Sequence, residues 1–116
     1  MFNLHGKLQY FLYPAPVDMR KSFYTLSGVV SSIMKRNVQD GEAFIFVNRN
    51  MSIMKVLHLE HGGLVIYHKR LENGTFTLPR FNEDIVSQQI TWQELMMIVD
   101  NVKPIKRRLK KRQKSI

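Results

Sequence analysis

Three runs of branched and aromatic residues, Ala43 to Asn48, Ile53 to Glu60 and Leu64 to Glu72, follow one another with only short turn-forming segments between them. Runs of this length and spacing predict an antiparallel β-meander. The second and third join through His61-Gly62-Gly63. Whether that turn centres on His61-Gly62 or on Gly62-Gly63, odd positions of the second run share a face with even positions of the third. Asn73-Gly74 then offers the positive φ angles of a further hairpin turn, which predicts a fourth strand over Thr75 to Leu78. By this parity Met54, Val56, Val65, Tyr67, Leu71, Phe76 and Leu78 form an apolar face, with His58 and Lys69 as its exceptions.

Helical patterns flank the strands. A short extended segment, Leu8 to Tyr13, is ended by Pro14 and Pro16. Asp18 has the character of an N-cap. Met19, Phe23, Leu26, Val30 and Ile33 recur at alternating spacings of four and three, which predicts a helix to about residue 35. Gly28 weakens that helix by about 1 kcal/mol relative to Ala. Near the other end, Thr91 and Glu94 form a capping-box pair. Trp92, Leu95, Met96, Val99 and Val102 mark the stripe of a second helix that Pro104 terminates. The expectation is a single α+β domain over residues 1–102, an antiparallel β-meander with two helices covering its apolar face.

The charge is unevenly placed. Of 18 Lys and Arg residues, eight lie in the last fourteen positions with no acidic residue among them: Lys103, Lys106, Arg107, Arg108, Lys110, Lys111, Arg112 and Lys114. The remaining ten face nine acidic residues, so nearly all of the net charge of +9 belongs to residues 103–116. Such a run repels itself and has no apolar face to bury, which predicts a disordered basic C-terminal tail. Its natural partner is a polyanion, DNA above all, through counterion release. The alternative is a tail that only solubilises.

The predicted domain carries cations of its own. Lys55, His68 and Arg70 share the second, mixed face of the hairpin, with Lys55 opposite Arg70 in one register and opposite His68 in the other. Like charges across a strand pair are unfavourable unless an anion joins them, so a phosphate suits this patch. The competing account pairs Arg70 with Glu72 and sends Lys55 into water. Arg20 and Lys21 fall in the first turn of the predicted first helix, where they oppose the macrodipole unless an anion, or Asp18 itself, sits beside them. Toward the glycine turn the same face carries Leu57, Leu59, Leu64 and Ile66, a docking patch for another protein if exposed.

Signals for catalysis are missing. The chain has no cysteine, and His5, His58, His61 and His68 have no metal-ligand spacing. Glycine-rich phosphate loops and the nucleophile-elbow motif are absent. Neither a cofactor nor a metal is expected, and scattered carboxylates leave only a remote case for a magnesium-dependent nuclease. Trp92, Met54, Met96 and Met97 read as core rather than as a binding platform. No apolar run approaches the roughly 20 residues of a membrane span and no leader pattern opens the chain, which predicts a cytoplasmic protein, associated with the nucleoid when DNA-bound.

Three ordered segments, Tyr13-Pro14-Ala15-Pro16-Val17-Asp18-Met19-Arg20-Lys21, Phe44 to Arg49 and Tyr67 to Phe76, together with Ile90 to Leu95, resemble the accessory protein called TnpB or Orf2 of the bacterial insertion sequences of the IS-sixty-six group. The resemblance covers roughly residues 8–102. It implies a small protein, encoded beside a separate DDE-type transposase, that assists transposition and has no established catalytic residues; the cations point to a non-catalytic factor that binds DNA, and the apolar patch to the alternative of an adaptor docking on that transposase. Two departures stand out, Ser22 in place of the family's usual Gly, and a less basic stretch over Arg49-Asn50-Met51-Ser52-Ile53. If that loop meets DNA in the family, Arg49 and Lys55 are the cations left to do so here.

Overall fold

The computed structural model describes residues 3–80 and 84–101. In chain order the elements are β1 (Tyr10–Leu12), α1 (Phe23–Ser32), a 3-10 turn (Val38–Asp40), β2 (Ala43–Val47), β3 (Ile53–Glu60), β4 (Gly63–Arg70), β5 (Gln88–Ile90) and α2 (Trp92–Val99). The strands form one sheet in the order β4-β3-β2-β1-β5. β2, β3 and β4 are the predicted antiparallel meander. The β3–β4 turn is His61-Gly62, with φ of 48° and 81°, the two left-handed residues that a two-residue hairpin matched to strand twist requires.

The α+β class stands, with additions that the pattern did not reveal. β1 pairs parallel with β2, and α1 supplies the crossover between them. β5 adds antiparallel to the outer edge of β1. Thr75 to Leu78 is not a strand. Leu71 N–H donates to Ser52 O at 2.8 Å and Phe76 N–H to Met51 O at 2.7 Å, so the chain after β4 folds back over the β2–β3 turn. That path drives Phe76 into the core, and Gly74 still takes the positive φ of 79° expected of it.

The two helices do not share one face. α2 covers Tyr10, Leu12, Ala43, Ile45, Val47, Met54 and Val56 through Leu95, Ile98 and Val99. α1 covers the opposite face, Phe11, Phe44, Phe46 and Leu57, through Leu26, Val29 and Val30. Because both faces are covered, β2 is buried at every position, a continuous apolar run rather than an alternating one. Each large side chain so enclosed contributes about 1.5–3 kcal/mol of burial free energy. The α1 layer also explains the fate of the presumed docking patch: Leu57 is fully buried, and Leu64 and Ile66 pack partly against the same cluster.

Helix α1 starts later than its stripe suggests. Ser22, not Asp18, is its N-cap, and the Ser22 N–H donates to Thr25 Oγ1 at 2.9 Å. Asp18 closes its own turn instead, its Oδ1 accepting from the Arg20 N–H at 2.8 Å. Phe23 and Ile33 sit at the two ends of this shorter helix, about half exposed, and Met34 just beyond it is buried in their place. Helix α2 matches its capping box, with Thr91 Oγ1 accepting from the Glu94 N–H at 3.0 Å and Glu94 accepting from the Thr91 N–H at 2.8 Å. Lys69, the exception on the α2 face, donates from Nζ to Val99 O at 2.6 Å and so caps the negative end of that helix.

Candidate nucleic-acid interface

β-hairpin register decides what Lys55 faces. It lies opposite His68, while Arg70 lies opposite Ile53, and all of them project toward the α1 side of the sheet. The Lys55 side chain does not reach water. The residue is 8% exposed, and its ammonium donates to Met19 O at 2.8 Å and to Lys21 O at 2.7 Å. The positive charge is balanced by carbonyl dipoles, so Lys55 is a strut that ties the segment before α1 to the sheet rather than an anion ligand. The pairing of Arg70 with Glu72 does not form either; among the described residues the ion pairs are Arg20–Asp18, Arg36–Glu42 and His58–Glu60.

The strut gathers the remaining cations. By holding the Met19 and Lys21 carbonyls it sets Arg20 and Lys21 beside the end of the hairpin where β3 begins and β4 finishes with His68 and Arg70. Arg49, in the β2–β3 turn at that same end, lines a small cleft with Pro16, Val17 and Asp18. Arg20, Lys21, Arg49, His68 and Arg70 thus stand around one end of the sheet. Arg20 is held by Asp18 through two hydrogen bonds from Nε and one of 2.6 Å from its terminal nitrogen. Hydrogen bonds from the Arg20 side chain, then from its backbone, keep the exposed Asp18 carboxyl down at about 2. Lys21, Arg49, His68 and Arg70 have no ion-pair partner among the described residues. Lys103, Lys106, Arg107, Arg108, Lys110, Lys111, Arg112 and Lys114 lie outside the described residues.

Arg20 and Lys21 are therefore in the loop ahead of α1 and not in its first turn. The turn itself has no acidic residue. The Ser22 N–H that meets Thr25 is one that a glycine at this position would also supply. The β2–β3 turn is fixed by Asn48, whose Oδ1 accepts from the N–H groups of Ser52 at 2.9 Å and Ile53 at 3.0 Å.

A polar cluster that sequence reading missed lies on the α2 side. Glu60 accepts from Asn3 Nδ2 at 2.8 Å, from the Tyr67 hydroxyl at 2.6 Å and from His58 Nδ1 at 2.9 Å. His58 Nε2 meets Gly41 O at 3.1 Å. Both ring nitrogens thus have an oxygen within hydrogen-bond distance, one on a side chain and one on the backbone. Burial pushes the Glu60 carboxyl up, and the hydrogen bonds from Asn3, Tyr67 and His58 outweigh it and bring the group down to about 2. Every member is satisfied by a neighbour, so the cluster fastens the N-terminal segment to the hairpin. Its only signal in the sequence was His58 on an otherwise apolar strand face.

Among the described residues no group of three or more His, Cys, Asp and Glu is placed to hold a metal ion, and no helix is long and apolar enough to cross a membrane. No solved structure matches this chain. A protein of Sinorhizobium fredii, described as the uncharacterized protein y4hO, is 37% identical over 62 residues, which are 53% of this chain and 54% of the relative. The chain thus spans about half the length of that curated relative. The family described as IS66 Orf2 like protein matches residues 8–109, from the residues before β1 through both helices and into the basic end. The chain belongs to the IS66 Orf2-like family.

Proposed function

We propose that this protein serves transposition as a non-catalytic DNA-binding factor, holding phosphates with the cations at one end of its sheet and with its basic C-terminal residues. The observation that carries this reading is the gathering of Lys21, Arg49, His68 and Arg70, without ion-pair partners among the described residues, around the loop that Lys55 ties down. Four positive or protonatable groups without counter-charges repel one another, and a phosphodiester backbone relieves that repulsion by releasing its own counterions. Contacts to phosphates carry no sequence information of their own, so binding is expected to be sequence-tolerant. The loop segment replaces the sheet patch that parity suggests, since Lys55 is spent on carbonyls.

Fluorescence anisotropy with labelled duplexes at low and moderate salt tests this. Arg49→Ala and Arg70→Ala should each weaken binding by a similar factor on unrelated sequences and lower the log–log salt slope by about 1 for each phosphate no longer neutralised. Unchanged affinity and slope in the double variant would remove the folded part from the DNA surface. Co-purification with the neighbouring transposase, with and without nuclease treatment, separates a DNA bridge from a direct protein contact.

A further inference from the structure

Beside the cationic end of the sheet lies an open groove of about 320 Å³. It opens where β1 and β2, the one parallel pair among the described residues, reach their carboxyl ends, the place where ligand crevices form in sheets with parallel strands. Tyr13, Pro14 and Pro16 leave β1 along one side, Val47 and Met51 flank the β2–β3 turn, and Leu78 closes the remainder. Arg49 lines both this groove and the adjoining cleft beside Asp18. The walls are therefore flat rings and apolar side chains, with one guanidinium at the rim that has no ion-pair partner among the described residues.

Several polar groups of the groove are already engaged. Asn48 uses its Oδ1 on Ser52 and Ile53 and its Nδ2 on the Ser52 hydroxyl at 3.3 Å. The Tyr13 N–H donates to Ile45 O and the Val17 N–H to Val47 O. A ligand here meets mainly apolar contact and a positive charge. We infer that the groove accepts one unstacked base of a single-stranded nucleic acid, its flanking phosphate on Arg49. Charge decides the class of occupant: the groove sits at the end of the sheet where Lys21, Arg49, His68 and Arg70 collect without ion-pair partners among the described residues, which suits a polyanion over a peptide. The size decides the form, because a volume near the lower limit of about 300 Å³ for small-ligand sites suits a single base. Bases within a duplex stay paired and stacked and do not enter such a concavity, so the inference adds a preference for unpaired strands. It rests on the DNA-binding reading above.

The test compares three labelled probes on the full chain by anisotropy: oligothymidine, an abasic oligodeoxynucleotide of the same length and charge, and a duplex. Equal charge cancels the electrostatic contribution of the basic C-terminal residues between the first two. Oligothymidine is expected to bind roughly tenfold tighter than the abasic strand. Ala15→Leu, at an exposed position on the groove wall, should bring that ratio close to 1 while leaving the abasic and duplex affinities unchanged, with a melting curve confirming the fold. If oligothymidine and the abasic strand bind equally well, the groove inference is overturned and DNA binding survives; if no probe binds, both fall. A tenfold ratio that persists in Ala15→Leu puts the base elsewhere and also overturns it. So does an acidic, aromatic peptide whose binding Ala15→Leu abolishes while the oligonucleotide ratio stays put, an outcome that makes the groove a peptide site.

Discussion

An ammonium that donates to two buried-side carbonyls cannot be removed without leaving those carbonyls unpaired, and Lys55→Met isolates that effect because the apolar stem is kept. The expected loss is about 2–3 kcal/mol, within the range for hydrogen bonds that involve a charged group. In urea denaturation this should lower the midpoint and leave the slope unchanged. Glu60 gives a second residue-scale expectation. Its folded carboxyl is held at about 2, below its ordinary value of 4.5, so it adds stability above pH 4.5 that is lost as pH falls toward 2. Glu60→Gln should be less stable at neutral pH and flatten the acid limb over that window, as read by denaturation at a series of pH values. A limb as steep as in the parent protein would assign the acid sensitivity to other carboxylates. Hairpin parity places Lys55, His68 and Arg70 together from sequence alone. What parity could not supply was the partner of Lys55, a loop 34 to 36 residues away whose position depends on how α1 docks.

At the scale of elements, α1 has an avoidable weakness. Gly28 lies inside the helix with no positive φ, and a Cβ built there meets nothing within 4 Å. Gly28→Ala should therefore stabilise the protein by about 0.5–1 kcal/mol through lower chain entropy and better helix propensity, visible as a raised melting temperature. Thr91→Ala should act in the opposite sense at α2, costing about 1 kcal/mol, since it removes the Oγ1 that holds the Glu94 N–H. α2 was legible because its capping box and its stripe agree on one starting point. α1 was misplaced by four residues because Asp18 has cap chemistry but spends it on Arg20. β5 escaped notice for a different reason. Gln88–Ile90 is three residues long with two glutamines, and it becomes a strand by pairing with β1, not by any pattern of its own.

For the whole molecule the sequence separated a nearly neutral folding unit from a strongly cationic end, but it did not reveal that helices cover both faces of the sheet. β2 held the clue, since Ala43–Val47 is apolar at every position and an exposed strand face would have interrupted it. That enclosure also governs what removal of the basic end does. Among the described residues the buried core runs from Leu4 to Val99, and a chain ending at residue 102 is expected to keep nearly the same melting temperature as the full protein. Its DNA binding should not be the same. Full engagement of the eight C-terminal cations would add up to about −7 to the log–log salt slope on duplex DNA, at roughly 0.9 per neutralised phosphate, and partial engagement less. The shortened protein should lose affinity and most of that slope while retaining a shallow dependence from Lys21, Arg49 and Arg70. Introducing Arg49→Ala and Arg70→Ala into it should then remove most of what is left. Equal slopes for the full and shortened chains would show that the C-terminal cations are not engaged, whereas a shortened chain with no salt-dependent binding would deny the sheet end any share in holding DNA.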